Sequence, residues 1–558
     1  MSLNFAIFVS FYILIITSTV GYGYLIVNMT KLKKANFNNG YIGLFGIFFL
    51  IFYSYFSHFF ISHNYINNVL ILVLGLLLFI FFFYKDKKKK NYILFFLFFL
   101  FLFIGFIIFK SHDDFSYYHF PYTYYLTQNN LLIGIGNFNH GFRTPSSIFY
   151  LNSLFYLPVI KYYFFQIGSL MIMGFTSLIF LDFIYKKIKE KNNDIIFFLS
   201  LMSFIFVNIF FYRIGEHGTD RSAQILIFLF IIELIIIINI NDHFRENSAK
   251  IFILLILIIS LKAFYILYLT LLFPIIYYLI KDKNFYHFID SLKNPFFYLS
   301  TFIFIFILIT NFFNSGCLIY PISATCFENF SWSIPLAEVS QMNDWYEQWA
   351  KAGAGPNFRI NDPAIYIQNF NWVGNWLTKY FFNKVSDFIY GLIFLSIILL
   401  TVFHSKNNQT RNVYKGIFFI YFILILLFFE WFYNHPALRY GGYPLISLLL
   451  FLPIANILSK RNYLNFNIKV RIYSLILITL LMFFTRNLNR LYKENLQYDY
   501  NPIKGINYHV DNSYFRIQNK FIDIINKNND CIDQLDYCNK HQDYNIKRKF
   551  NYIIFFRK

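Results

Sequence analysis

Residues 92–114 read YILFFLFFLFLFIGFIIFKSHDD. The apolar run from Tyr92 to Phe109 is long enough to cross ~30 Å of hydrocarbon as a helix, and it gives way to His112, Asp113 and Asp114. Two adjacent carboxylates where a spanning helix leaves the bilayer lose part of their hydration. Such burial raises the pKa of at least one of them and suits it to act as a base. The pair is the first candidate site, and Asp113, nearer the helix end, is expected to be the less hydrated acid and the working base.

The rest of the chain shares this apolar character. Of its 558 residues 58% are hydrophobic and 14% charged, with a mean hydropathy of +0.49, far from the values of a soluble domain. Apolar stretches of about 18 to 24 residues, each able to span a bilayer as a helix, recur almost to Arg486. No strand-period alternation with regular turns accompanies them, so helices rather than a barrel are expected. The expected fold is an all-α polytopic membrane protein with about 13 transmembrane helices. The first residues, Met1-Ser-Leu-Asn-Phe5, lack a basic n-region, and the apolar run continues to Val27. That segment reads as a retained helix, not a signal peptide.

A net charge of +20 would suggest nucleic acid in a soluble protein. Here Lys and Arg gather in short loops, where membrane topology accounts for them. The 79 Phe residues read as lipid-facing bulk, and nucleic acid is not an expected partner. Cationic loops at Lys31, Lys33 and Lys34, at residues 85–90 and at residues 186–191 mark the cytoplasmic side. Alternation then puts residues 62–68, 111–156 and 213–221 outside. Residues 249–280 are too long for one span, and two short helices hinged near Lys262 restore the alternation. Further along, 314–385, 434–442 and the tail after Arg486 fall outside, while 405–415 and 459–471 fall inside.

Cysteine placement agrees with this map, because disulfides persist in oxidising compartments. Cys317 and Cys326 lie in the large outer loop, and Cys531 and Cys538 in the tail. Each pair is close enough to close a small ring, with free thiols as the alternative. Neither pair has zinc-site spacing. The tail, 487–558, turns to mixed polar composition, with short strands expected around 545–556 and a small outer α/β domain as the implied unit. No internal repeat of the transporter kind is visible.

Polar residues near the expected outer helix ends are His112, Asp113, Asp114, His119, Arg143, His217, Asp220, Arg221, Glu430, His435 and Arg439. Ionisable groups at the rim of an apolar bundle mark a substrate path. After the acids come an amphipathic segment, 115–126, a loop ending in Asn139-His-Gly-Phe-Arg143, and a second amphipathic segment, 145–157. The pattern predicts two interfacial helices flanking a turn. They would frame a groove where a lipid-linked substrate presents its head group to the acids.

The order Phe109-Lys-Ser-His-Asp113-Asp114, amphipathic segment, loop, amphipathic segment, span resembles the GT-C superfamily of integral-membrane glycosyltransferases. The resemblance implies that Asp113 or Asp114 deprotonates an acceptor while a sugar leaves a polyprenyl phosphate with inversion. It also implies a contribution from the second outer loop, Arg213-Ile-Gly-Glu-His217-Gly-Thr-Asp220-Arg221. In that superfamily the acidic loop follows the first helix, whereas here about three spans precede it. The implied division is therefore an N-terminal transmembrane extension, 1–90, a GT-C-like module, 91–314, with its outer acidic loop at 110–160, a large outer loop, 315–385, further transmembrane helices, 386–486, and the tail domain, 487–558.

Elementary chemistry points the same way. Glycosyl transfer from a phosphate needs a base for the nucleophile and cations for the departing anion. Arg143, Arg221 and Arg439 are outer-side arginines with the planar fork suited to phosphate. Arg439 is the best placed, in Trp431-Phe-Tyr-Asn-His435-Pro-Ala-Leu-Arg439-Tyr-Gly-Gly-Tyr-Pro444, where the glycines let a head group approach the backbone. His119, His217, Asp220 and His435 complete the expected substrate-binding set, and no metal ligand is assigned. A divalent cation held by His112, Asp113, Asp114 and His119 is the alternative if those side chains converge.

Gly134-Ile-Gly136 and Gly353-Ala-Gly355 read as turns, not nucleotide cradles. The outer loop carries Trp332, Trp345, Trp349, Trp372 and Trp376 among Glu338, Asp344, Glu347 and Asp362. That composition suits a belt of interfacial anchors, or a cover over the site that shapes acceptor choice. The expected function is a glycosyltransferase of the bacterial inner membrane, facing the periplasm, with membrane lipid and a polyprenyl-phosphate-linked sugar as partners. A polysaccharide polymerase or ligase and a transporter or flippase of lipid-linked glycans are the alternatives.

Overall fold

A computed structural model of the chain describes residues 4–85, 90–239, 242–353, 360, 362–405, 414–461, 467–506, 544–549 and 552–557. The stretches at 86–89, 406–413 and 462–466, Gly355, and the expected pair Cys531 and Cys538 lie outside the described residues.

Apolar sequence and polar caps account for the helices. Asn4 accepts the amides of Ala6 and Ile7 to start α1 (Phe5–Met29), and Asn38 accepts that of Tyr41 to start α2 (Asn39–His58). There follow α3 (Tyr65–Lys85), α4 (Lys90–Phe106), the short α5 (Phe120–Gln128) and α6 (Ser147–Ser153), then α7 (Ile167–Lys189) and α8 (Ile195–Phe210). The next helices are α9 (Asp220–Asn239), α10 (Phe244–Leu261), α11 (Phe273–Lys281), α12 (Phe285–Leu292) and α13 (Pro295–Ser315). The outer loop supplies α14 (Leu336–Lys351), α15 (Pro363–Ile367) and α16 (Val373–Trp376), the last running through a π-helical stretch, Leu377–Val385, into α17 (Ser386–Val402). α18 (Ile417–Asn434), α19 (Gly442–Ser459) and α20 (Asn467–Tyr498) complete the helices.

Among the described residues, 11 helices are long and apolar enough to cross a membrane, and Tyr92–Phe106 and Ile195–Phe210 are shorter apolar ones. The protein is an all-α, multi-pass membrane protein. α9 is its axis, with 94% of its apolar stretch buried against 17% for α20, which identifies α20 as a lipid-facing helix. α9 packs on α7, α8 and α10, α2 packs on α7, and α8 packs on α19.

The break at Lys262 falls where the loop charges predict it. α10 stops at Leu261, Lys262 takes extended angles (φ −153°, ψ 120°), and a 3-10 helix, Ala263–Leu272, leads into α11. Segments expected on the outer side share one end of the bundle. Arg439 reaches Asp114 and Asp220, and Trp376 Nε1 donates to Pro436 O. At the opposite end Lys415 pairs with Asp282, and Tyr414 bonds Asp194.

The second amphipathic segment corrects the expectation of two interfacial helices. Only Ser147–Ser153 is α-helical there, and all of it is buried. Its polar face bonds protein: Ser147 Oγ lies 2.8 Å from Ser260 Oγ, and Ser146 Oγ donates to Leu261 O at 2.7 Å. The hydroxyls that made the segment look surface-bound are satisfied by α10.

In the outer loop Cys317 and Cys326 are joined as a disulfide. Three strands, β1 (Leu132–Ile133), β2 (Tyr544–Lys549) and β3 (Tyr552–Arg557), form a sheet in the order β1-β3-β2. β3 runs parallel to β1 and antiparallel to β2, so the tail pairs with the acidic loop. Gly134 permits this closure, since its φ is +77° and a Cβ there would lie 2.1 Å from Phe555 O.

α1 packs backbone to backbone on its neighbours. A Cβ on Gly46 would meet Thr19 O at 1.9 Å, and one on Gly21 would meet Gly75 O at 2.0 Å. Small residues let membrane helices approach this closely. Gly46→Val is therefore expected to destabilise the protein by about 1–3 kcal/mol or more through overpacking. Gly374→Ala, with nothing within 4 Å, is expected to be silent. Thermal unfolding of both variants in detergent checks the contrast.

Candidate active site

The site begins where α4 ends. Past Phe106 the extended chain is pinned from α20: the Glu494 carboxylate accepts the amides of Phe109 and Lys110 at 2.8 and 3.2 Å. Tyr500, just beyond that helix, donates to Ile107 O at 2.9 Å and stacks on Phe109. Held this way, the chain turns into a π-helical segment, Phe115–His119, and His112 Nδ1 accepts the Asp114 amide at 3.0 Å. That bond leaves the imidazole proton on Nε2.

Asp220 opens α9, where a helix N-terminus favours a carboxylate. Lys262 sits at the break after α10. Arg439 lies in a single 3-10 turn, Leu438–Tyr440, followed by Gly441 at φ 109°. Gln224 Nε2 fixes the turn by donating to Arg439 O at 2.8 Å, and Tyr380 Oη does so by accepting the Leu438 amide at 2.9 Å.

These segments meet in one ion network. Arg439 Nη2 lies 2.6 Å from Asp114 Oδ2, and its Nε lies 3.1 Å from Asp220 Oδ2. Lys262 Nζ lies 3.0 Å from Asp220 Oδ1. Two acids thus balance two cations. Arg221, partly exposed and next in sequence to Asp220, has no carboxylate within 4.0 Å among the described residues, and its guanidinium stands 5.9 Å from the Phe211 ring. An aromatic cover lies over the network from α14 and the 3-10 turn. The Arg439 guanidinium stands 5.4 Å from the Trp349 ring and 5.6 Å from that of Tyr440, and Lys262 Nζ stands 5.6 Å from Tyr440.

Burial pushes the Asp114 carboxyl up, but Arg439, His112 and His119 outweigh it and hold the group at about 2. Burial lowers His119 to about 3 against the opposing pull of Asp114, and lowers His217 to about 3 with Arg221 adding to the effect. His112 also falls below its ordinary range through burial, despite Asp114 beside it. The imidazoles around the acid are neutral at physiological pH.

The structure redistributes the expected roles. The raised pKa expected at the acid pair is replaced at Asp114 by a lowered one, because the helix exit places that carboxylate against Arg439. Asp113 is exposed, so it is the more hydrated of the pair, contrary to expectation. Arg143 does not face the acids. It is buried, donating from Nε to Gly136 O at 3.0 Å and from Nη1 to Tyr320 Oη at 2.7 Å, and paired through Nη2 with Glu338. It acts as a strut that holds α14 against the acidic loop. His217 Nε2 bonds Phe211 O and braces the second loop, while His435 packs on Phe264 and Tyr440 at the margin of the centre. Among the described residues no three His, Cys, Asp or Glu side chains group to hold a metal ion, so His112, Asp113, Asp114 and His119 do not converge as that alternative requires.

Sequence reasoning read Lys262 only as a hinge and missed Glu494, Gln224 and Tyr380. A lone lysine inside an apolar run was the available signal for Lys262. For the others the partner is a backbone group, which no pattern of residue types announces.

A family model described as Domain of unknown function (DUF8201) matches residues 5–446. The chain belongs to that family. Asp114, Asp220, Lys262 and Arg439 all fall within the matched part of this DUF8201 protein, whereas α20, with Glu494, lies beyond it. Neither a curated protein nor a solved structure matches the chain.

In this DUF8201 chain Arg439→Gln leaves Asp220, with a side chain only 10% exposed, short of one of its two cations. The expected loss is on the order of 3 kcal/mol, and Arg439→Lys should restore only part, since an ammonium cannot span both carboxylates. Unfolding midpoints of the two variants test this. A second outcome concerns pH. His119 and His217 move from 6.5 unfolded to about 3 folded, so their contribution is complete above 6.5 and is lost as pH falls toward 3. Asp114 adds to the decline only between 3.8 and about 2. The unfolding midpoint should fall steadily below pH 6.5, with a shallower slope in His119→Phe.

Proposed function

We propose that this protein is a membrane glycosyltransferase of GT-C-like arrangement, moving a sugar from a polyprenyl-phosphate donor to a glycan, lipid or protein acceptor. The observation that carries the reading is the meeting of Asp114 and Asp220 with Arg439 and Lys262 at one end of a membrane bundle. A guanidinium and an ammonium beside carboxylates, under aromatic rings, suit a phosphate-linked sugar. Lipid-facing helices around the same end leave room for the donor's polyprenyl chain in the bilayer. The Cys317–Cys326 disulfide lies in the outer loop that also supplies the cover over this centre, which supports an oxidising compartment on that side. The periplasmic face of a bacterial inner membrane is the setting this fits.

In the transfer, an acceptor hydroxyl oxygen forms a bond to the anomeric carbon as the bond from that carbon to the phosphate oxygen breaks. The phosphate departs with the electron pair, the acceptor proton passes to Asp114, and configuration at carbon inverts. Asp114 at about 2 is a weak base while Arg439 holds it. A donor phosphate competing for that guanidinium would release the carboxylate and raise its basicity when substrate is in place. Arg221 and Lys262 would hold the departing anion.

The test uses purified protein with glucose, galactose, mannose and N-acetylglucosamine on polyprenyl phosphate, measuring sugar release or transfer. The parent should turn over at least one donor, and Asp114→Asn or Arg439→Gln should cost at least about 100-fold. Asp113→Asn should stay within about threefold. An inert parent across the panel sinks the reading, and a greater loss at Asp113 than at Asp114 overturns the assignment of the base.

A further inference from the structure

Beside the ion network lies a small cavity of ≈ 20 Å³, lined by polar residues that include His112, His119, Asn152, Gln166 and Ser169 and closed by the second outer loop at Gly215 and Gly218. That volume admits about one water-sized group. His119 is 6% exposed and Gln166 7%. The Nε2 atoms of both are buried without a hydrogen-bond partner.

Asn152 and Ser169, also in the lining, have their bonds. Asn152 donates to Phe165 O and accepts from the Gly168 amide. Ser169 donates to Gly218 O and accepts from Ser222. Two residues that each carry an unmet group therefore line a space sized for a single oxygen. Leaving both unpaired is costly, so an occupant is expected.

The lining identifies that occupant. No Arg or Lys borders the cavity, so an anionic phosphate oxygen would be buried without a counter-charge. A hydroxyl fits, since it accepts from the Gln166 amide and donates to His119 Nε2. Burial keeps the His119 ring neutral, and Nε2 accepts in the tautomer that carries the proton on Nδ1. The cavity shares His112 with the Asp114 centre, and Nδ1 of that residue stands 3.6 Å from Asp114 Oδ2. Gly218 protects the space: its φ is +52°, and a Cβ there would lie 2.9 Å from His119 Cε1.

We infer that this cavity is a hydroxyl subsite that seats one hydroxyl of the donor sugar between Gln166 and His119 while the reacting carbon lies near Asp114. The inference rests on the glycosyl-transfer reading and adds how one sugar is told from another. When the donor is absent a water occupies the same position.

The test compares the parent donor from the panel above with its monodeoxy forms, using wild-type protein, Gln166→Leu and His119→Phe. In wild type, one deoxy donor should lose at least about tenfold in kcat/KM. In Gln166→Leu the preference for the hydroxylated donor at that same position should collapse to within about twofold, while the other deoxy donors keep their wild-type ratios. Thermal unfolding identifies any variant that has lost its fold. If His119→Phe does so, Gln166→Leu decides alone, and if Gln166→Leu does so, Gln166→Glu takes its place. Wild type that is active yet shows no discrimination removed by these variants overturns the subsite and leaves the transferase reading standing. An inert wild type removes both. An experimental structure with donor bound gives an independent reading: a sugar hydroxyl between the two Nε2 atoms supports the subsite, and a water retained there contradicts it.

Discussion

One end of this helix bundle is organised by one guanidinium. Arg439 faces Asp114 with one nitrogen and Asp220 with another, tying the exit of α4, the start of α9 and the turn before α19 into a single arrangement. Its planar fork is what permits this, because a point charge on a flexible stem cannot hold two carboxylates in fixed directions. Charges so removed from water are costly unless each has partners. Lys262 completes the coordination of Asp220, and the break in α10 is what brings that ammonium to the same depth.

Much of this was legible in the sequence, for reasons specific to membranes. Apolar runs must be helices in lipid, and lysines collect where water begins, so the spans and the kink at Lys262 follow from residue type. The division of labour between Asp113 and Asp114 was not legible. Distance from the helix end is a poor guide once the chain passes through an extended stretch and into a π-turn, which rotates one acid toward Arg439 and its neighbour toward water. Arg143, Arg221 and Arg439 were equivalent as residue types. Tertiary packing distinguishes them, committing Arg143 to Glu338 and Tyr320 while leaving Arg221 open. The orphan atoms of His119 and Gln166 belong to the same class of fact, since an unmet bond is visible only when every neighbour is in place.

The cover over the centre is held by the cation that sequence reasoning assigned to substrate. Through Arg143 the acidic loop and α14 move as one body, so Trp349 keeps its position over Arg439 without a bond of its own to either acid. The sheet adds a second fastening, joining β3 of the tail to β1 of the loop. The acids sit at helix starts, and these two fastenings hold the segments around them.

The separation of Asp114 from Arg439, 325 residues along the chain, also bears on how the protein is made. Membrane insertion proceeds from the N-terminus, and domains form in the order in which they emerge. Asp114 is synthesised long before its arginine, and Glu494, which pins the same loop, follows later still. A nascent chain therefore carries an acidic loop without its neutralising partner. The ion network becomes a late assembly event, and a chain interrupted before Arg439 presents an open centre that cannot hold its acids in register.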